Sequence, residues 1–281
     1  MLSDIRSVHF VGICGTAMAS AAAAMQERGF RVTGSDANVY PPMSTFLAER
    51  KVEVISGYDE KNLAAKPDLV VIGNAMSRGN AEVEAVLDRK LRYCSLPELL
   101  KEFFIRGKRS LVVSGTHGKT TTTSLLTWVF ECAGLNPSYL IGGIPTNLGQ
   151  GARFTDSEWF IIEGDEYDTA FFDKRSKFIH YLPELAIVNN LELDHADIFS
   201  DVAAVQKSFS HLIRLIPRNG LLLGNGDDPN LAPLLNVTHC PVKRFGLNES
   251  NAVRAFNLQL GATASAFEIP SCRFQIGRAH V

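Results

Sequence analysis

A lysine stands between a glycine turn and a run of hydroxyls in Val112-Val113-Ser114-Gly115-Thr116-His117-Gly118-Lys119-Thr120-Thr121-Thr122-Thr123. These residue types in this order suit a chain of phosphates. Gly115 and Gly118 let successive backbone N–H groups close around phosphate oxygens. A helix opening just after them points its positive end at the same oxygens. Lys119 can reach β- and γ-phosphates, and the Thr120 hydroxyl can sit on Mg²⁺, as in a P-loop. Thr116, His117 and Thr121 complete the candidate nucleotide-binding set. The loop is shorter than the general pattern, which wants a glycine where Val113 stands. The competing reading is a plain helix-capping turn with Thr116 as the cap and Lys119 solvated. The four threonines favour phosphate, because β-branched residues are mediocre helix formers and need another reason to open a helix.

Two further segments carry groups that Mg²⁺ and phosphate chemistry use. Glu163-Gly164-Asp165-Glu166-Tyr167-Asp168 follows the apolar run Trp159–Ile162, and Asn190-Leu191-Glu192-Leu193-Asp194-His195 follows Ala186–Val188. Mg²⁺ takes a few protein oxygens and completes its octahedron with water and phosphate. Glu163, as the first residue off its strand, is the best-placed metal ligand, and His195 can hold a second ion. The alternatives stay open: an acidic solvated turn at 163–168, and helix caps at Asp194 or Asp197.

The N-terminal block has its own glycine turn, Gly12-Ile13-Cys14-Gly15, with Asp36 after the next strand and Ser77 in Asn74-Ala75-Met76-Ser77-Arg78-Gly79-Asn80. It departs from the dinucleotide fingerprint, since Cys14 and Met18 replace the second and third glycines. A nicotinamide-dependent oxidoreductase is therefore a weak alternative. A turn whose N–H groups face a diphosphate survives these changes. Asp36 can accept hydrogen bonds from a sugar or base, and the loop holding Ser77 is either a phosphate contact or a plain connection.

Positioning these groups is the task of alternating strands and helices. Val8–Val11, Phe30–Thr33, Leu69–Ile72 and Leu91–Cys94 read as strands. Thr16–Arg28, Ala81–Lys90 and Pro97–Phe104 read as helices. Arg106-Gly107-Lys108 breaks the pattern. Beyond it, Leu111–Val113, Tyr139–Ile141, Trp159–Ile162, Ala186–Val188 and Leu221–Leu223 are strands, Thr120–Ala133 is a helix, and Asp201–Ile216 is an amphipathic helix. The pattern predicts an α/β protein with parallel sheets: a Rossmann-like domain over 1–107, then a P-loop ATPase domain over 108–274. Only weak strands are expected over 252–269. Gln275-Ile276-Gly277-Arg278-Ala279-His280-Val281 reads as a translated sequencing adapter, so 275–281 is expected to be a non-native tail.

Bulk composition narrows the class. The chain has 281 residues, 46% hydrophobic and 21% charged, with a net charge of −2. Nothing there draws it to nucleic acid or an anionic membrane. The five cysteines form no C-x-x-C, which fits free thiols in the cytoplasm and gives no zinc site.

A diphosphate-type first domain, then Gly115-Thr116-His117-Gly118-Lys119-Thr120, then Glu163 and Asp194-His195, resembles the Mur ligases of bacterial cell-wall synthesis. The resemblance covers residues 7 to about 235. The strings Gly73–Asn80, Glu163–Lys177 and Asn189–Phe199 are similar to the peptidoglycan-recycling branch of that family. The resemblance implies ATP- and Mg²⁺-dependent joining of the murein tripeptide L-Ala-γ-D-Glu-meso-diaminopimelate to UDP-N-acetylmuramate through an acyl phosphate. The alternative within the family is addition of L-alanine. It further implies that Lys119 steadies the β/γ-phosphates, that Thr120 and Glu163 hold one Mg²⁺, and that His195 helps hold a second. Gly12, Gly15, Asp36 and Ser77 would lie along the UDP-sugar. The family's third domain and its adenine motif are missing from the chain, so little catalysis is expected from it alone.

Overall fold

Short, largely buried strands set the architecture, with β-strands Ser7–Val11 and Leu69–Ile72 buried along their whole length, as expected for parallel sheets covered on both faces. The computed structural model describes residues 4–194, 199–236, 238–262, 264–270 and 272–277. The chain forms two compact units, Met1–Arg106 with Tyr167–His180, and Gly107–Glu166 with Tyr181–Val281.

In the first unit, β1 (Ser7–Val11) is wholly buried. It leads through the glycine turn into α1 (Thr16–Glu27), whose Ala19 and Ala21–Ala24 are buried. Then come β2 (Arg31–Asp36), α2 (Met43–Glu49), β3 (Glu53–Ser56), β4 (Leu69–Ile72), α3 (Ala81–Asp88), β5 (Tyr93–Ser95) and α4 (Leu96–Leu100). The strands form a parallel sheet in the order β3-β2-β1-β4-β5. The chain leaves β1 toward β2 on one side and later reaches β4 on the other. The carboxyl end of β1 is thus the crevice where such sheets take ligands. The helix expected over Pro97–Phe104 is two pieces: α4, closed at its start by a Ser95–Glu98 capping box, and one π-turn, Lys101–Ile105.

The second unit repeats the plan. β6 (Arg109–Ser114) runs into α5 (Lys119–Cys132), β7 (Ser138–Leu140), the short β8 (Ala152–Arg153) and β9 (Trp159–Gly164). A hairpin of β10 (Asp168–Ala170) and β11 (Asp173–Ser176) belongs to the first unit. The second unit resumes with β12 (Pro183–Val188), α6 (Val202–Arg214), β13 (Leu221–Asn225), α7 (Ala232–Leu235), β14 (Val242–Gly246) and β15 (Val253–Arg254). Among the described residues the sheet order is β15-β14-β13-β12-β6-β9-β7-β8, parallel except at the β7–β8 edge. A separate antiparallel meander follows: β16 (Phe256–Leu260), β17 (Ala264–Ile269) and β18 (Cys272–Gly277).

Packing explains α6. Val205, Phe209, Leu212 and Ile213 are buried on one stripe, and Val205, Phe209 and Ile213 share a cluster with Ala186, Val188 and Leu222 of the sheet. Each such side chain contributes roughly 1.5–3 kcal/mol. The cap of α6 is Asp201, whose carboxylate accepts from the Ala204 N–H at 2.8 Å, so Asp194 does not cap it. Asp197 lies outside the described residues.

Candidate functional site

β6 lies between β9 and β12, with Val113 opposite Glu163 and Ser114 opposite Val188. The chain leaves β6 for β7 and β9 on one side and returns to β12 on the other. The glycine turn after β6 therefore sits at this sheet's switch point. Three strand ends converge there: 115–118 after β6, 163–166 at β9, and 189–192 after β12.

The turn is built against the end of β12. The Asn189 N–H donates to Ser114 O (2.9 Å), and the N–H groups of Thr116 and His117 donate to Asn190 O (3.2 Å) and Asn190 Oδ1 (2.8 Å). Gly115 has φ 137°, and a Cβ there would lie 3.1 Å from atoms of Asn189 and Asn190. Gly118 has φ 77° and forms the N-cap of α5. Both glycines are thus demanded by backbone geometry. Thr116 is no helix cap. Its hydroxyl donates to Glu192 O (3.2 Å) and accepts from the Glu192 N–H (2.9 Å), tying the turn to the segment after β12.

The hydroxyl run has separate tasks. Thr120 Oγ1 donates to Glu163 Oε1 at 2.8 Å. Thr122 Oγ1 accepts from Asn189 Nδ2 at 3.0 Å. Thr123 Oγ1 donates back to Lys119 O at 2.7 Å, which satisfies a buried hydroxyl inside the helix. Thr121 is exposed at the first turn, where helix N–H groups have no intrahelical acceptor. His117 is exposed too, with Nε2 3.7 Å from Glu192.

Two carboxylates reach the turn from the end of β9. Glu163 is the penultimate residue of that strand rather than the first beyond it. Its Oε1 meets Thr120, and its Oε2 accepts the Gly142 N–H at 2.8 Å. Three residues on, Glu166 is 3% exposed and meets Lys119 Nζ with both oxygens, at 3.0 and 2.9 Å. Lys119 Nζ also donates to Gly115 O (2.7 Å) and Thr116 O (3.1 Å). Burial pushes the Glu166 carboxyl above the usual carboxylate range, against the pull of the Lys119 charge.

The structure thus brings together Gly115, Thr116, His117, Gly118, Lys119, Thr120, Thr121 and Glu163. His195 lies outside the described residues. The sequence reading assigned no role to Asn189, Asn190, Gly142 or Glu166. The Asn-Asn pair at a strand end was a usable signal for two of them. The burial of Glu166 left no trace in its acidic neighbourhood.

In the first unit the turn after β1 is organised from β2. The N–H groups of Gly12 and Ile13 donate to Ser35 O (2.8 and 3.0 Å). Asp36 is buried, accepting from the Cys14 N–H on Oδ2 and the Asn38 N–H on Oδ1, both at 2.9 Å. Gly12 has φ 86°, and a Cβ there would touch Met76 at 3.4 Å, which places the loop after β4, with Ser77, beside the turn. Gly12, Gly15, Asp36 and Ser77 therefore share one edge of the sheet.

Glu98, Asp173 and His180 also lie close, their ligand atoms within 4.8 Å of one another. Their partners give them another task. Arg175 grips both Asp173 oxygens (2.8 and 2.7 Å), His180 Nε2 meets Oδ2 at 3.0 Å, and Glu98 serves the capping box of α4. Phe172 adds an edge-on contact with Tyr93 at 4.9 Å. This is a clasp within the segment that carries the β10–β11 hairpin, since Asp173, Arg175 and His180 all belong to it, and the Phe172 ring joins that segment to Tyr93 of β5.

Comparison with known proteins agrees with this architecture. Residues 7–108 match the model of the Mur ligase family catalytic domain, and residues 113–280 match that of the Mur ligase middle domain. The chain belongs to the Mur ligase family. It is 55% identical, over 224 residues, to the UDP-N-acetylmuramate–L-alanyl-γ-D-glutamyl-meso-2,6-diaminoheptandioate ligase of Haemophilus influenzae, covering 80% of this chain and 49% of that one. To the UDP-N-acetylmuramate–L-alanine ligase of a Psychrobacter species it is 35% identical over 266 residues, covering 94% of this chain and 54% of that one. The crystal structure of the UDP-N-acetylmuramate:L-alanyl-γ-D-glutamyl-meso-diaminopimelate ligase from Neisseria meningitides superposes with a TM-score of 0.87 at 44% identity, covering 96% of this chain and 86% of that chain. The chain spans about half the length of the curated relatives it matches. Family membership sets aside the nicotinamide-dependent reading of the first glycine turn. Among the described residues no helix is long and apolar enough to cross a membrane.

Proposed function

We propose that the protein containing this chain is an ATP-dependent amide ligase that joins L-Ala-γ-D-Glu-meso-diaminopimelate to UDP-N-acetylmuramate in peptidoglycan recycling, in the cytoplasm. The observation that carries the reading is the convergence of Lys119, Thr120 and Glu163 on one glycine turn at the switch point of the second sheet. The acceptor and amine follow the H. influenzae relative, at 55% identity against 35% for the L-alanine-adding one.

A carboxylate is a poor electrophile, so the lactyl carboxylate of the muramyl group first attacks the γ-phosphorus of ATP. ADP leaves and an acyl phosphate forms. The free amine of the tripeptide then attacks the acyl carbon, the amide forms and inorganic phosphate departs. The protein's share is alignment and charge neutralisation. Lys119 meets the β/γ-oxygens, and the first N–H groups of α5 add their dipoles. Thr120 and Glu163 are hard oxygen donors 2.8 Å apart, which fits a shared Mg²⁺. When bound, that ion neutralises charge on the transferring phosphoryl group. His195 is assigned to a second ion by family resemblance. In the first unit, Gly12, Gly15 and Ser77 flank the UDP-sugar, and Asp36 shapes the turn that receives its diphosphate.

The test uses the full-length protein with UDP-N-acetylmuramate, ATP and Mg²⁺, offered tripeptide and L-alanine in parallel. The reading expects phosphate release that requires the tripeptide. Release with L-alanine alone would move the protein to the other branch, and release with neither would refute ligation.

A further inference from the structure

Glu163, the penultimate residue of β9, and Glu166, two residues beyond the strand's end, divide the phosphate turn between them. Glu163 faces Thr120, and Glu166 faces Lys119. The ammonium of Lys119 has three N–H bonds to donate, yet four oxygens lie within 3.1 Å of it: Glu166 Oε1 and Oε2, Gly115 O and Thr116 O. The pair is enclosed, with side-chain exposures of 14% for Lys119 and 2% for Glu166. A phosphate oxygen can gain this lysine only by drawing it off acceptors it already has. The Gly115 and Thr116 carbonyls are neutral and belong to the turn itself. Glu166 is the charged competitor.

We propose that Glu166 is a positioning residue that competes with the nucleotide's phosphates for Lys119 and thereby weakens nucleotide binding. The inference rests on the ligase reading above. It deepens that reading by naming a counterweight in the phosphate site. When Lys119 turns to the β/γ-phosphates, Glu166 gives up a charged partner and lies buried beside an incoming anion, where the loss of that partner is costly. Burial already raises its carboxyl above the usual range with Lys119 in place. The functional consequence follows from differential binding. Ground-state affinity for ATP that is held down by Glu166 does not deepen the well from which catalysis starts, and the same competition speeds release of ADP.

The sign of the effect separates this role from a structural one. Glu166→Gln keeps the shape and a hydrogen-bond acceptor for Lys119 but removes the charge. In the full-length protein it is expected to bind the Mg²⁺ complex of a non-hydrolysable ATP analogue about tenfold more tightly by calorimetry, the equivalent of ~1.4 kcal/mol. KM for ATP and kcat should fall together as product release slows. Glu166→Asp keeps the charge and should restore an affinity within about twofold of wild type. Unchanged or weaker analogue binding by Glu166→Gln, with the wild-type protein binding normally, would overturn the inference and leave the ligase reading intact. No analogue binding by the wild-type protein would instead sink the ligase reading. If Glu166→Gln does not fold, wild-type crystals soaked with the analogue decide the matter. Lys119 Nζ should then sit on phosphate oxygens and more than about 4 Å from Glu166. Retention of both carboxylate contacts with the analogue bound would contradict the proposal.

Discussion

The two glycine turns of this chain occupy the same place in two similar sheets and are finished in different ways. The turn after β1 is closed by neutral backbone groups and one buried carboxylate, Asp36, which accepts from Cys14 and Asn38. The helix behind it begins Thr16-Ala17-Met18-Ala19, with no cation in its first turn. The turn after β6 carries Lys119 and a run of hydroxyls and meets two carboxylates, Glu163 of β9 and Glu166 just beyond it. A parallel sheet with a switch point supplies the anion-facing N–H groups in both cases. The mobile charge that phosphoryl transfer needs is present at one turn only. The first frame suits holding a diphosphate still, and the second suits moving a phosphoryl group.

That contrast can be broken at each turn separately. The largest effect is expected at Lys119: Lys119→Ala in the full-length protein should lower the ligation rate about 10³-fold, as loss of a charge-stabilising donor does, measured as ADP formed with all substrates present. Next is Glu163→Gln, which removes a metal oxygen. The Mg²⁺ concentration for half-maximal rate should rise about 10- to 100-fold, and an unchanged Mg²⁺ titration would remove Glu163 from the metal site. At the other turn, Asp36→Ala leaves the Cys14 N–H without its acceptor and should weaken UDP-N-acetylmuramate binding about tenfold, with analogue affinity at the second turn unaltered.

The smallest effect concerns the clasp of the β10–β11 hairpin. Arg175, with help from His180, holds the Asp173 carboxyl down to about 2. A depressed carboxyl stabilises the fold above its ordinary value of 3.8, and that contribution is lost as pH falls from 3.8 toward 2. Asp173→Asn should therefore cost about 1–2 kcal/mol at neutral pH. In acid-unfolding curves the gap from wild type should close at the low end of that window. A gap independent of pH would assign the clasp to packing alone.

The sequence made some of this legible and hid the rest for identifiable reasons. β4 is wholly apolar, β6, β9, β12 and β13 each hold at least three consecutive apolar residues, β1 holds Val8, Phe10 and Val11, and α6 has a clear stripe, so apolar patterning locates them. α2 went unread because Leu47 alone of its seven residues is buried, which leaves no stripe. β3 is an edge strand with no fully buried residue. At the site, Lys119, Thr120 and Glu163 announce themselves by type and spacing. Glu166 does not. Its role depends on the β9 end folding it under the turn toward Lys119, a long-range contact that an acidic stretch of sequence does not encode in any local pattern. Asn189 and Asn190 act through backbone register between β6 and β12, which is likewise set by the fold.

The most direct test of the central claim is a paired titration of full-length wild-type protein and Lys119→Ala, each with a Mg²⁺-bound non-hydrolysable ATP analogue and with UDP-N-acetylmuramate. Two independent turns predict that the variant loses the analogue and keeps the UDP-sugar at wild-type affinity. Wild-type analogue affinity in Lys119→Ala, or simultaneous loss of both ligands by a folded variant, would contradict the account.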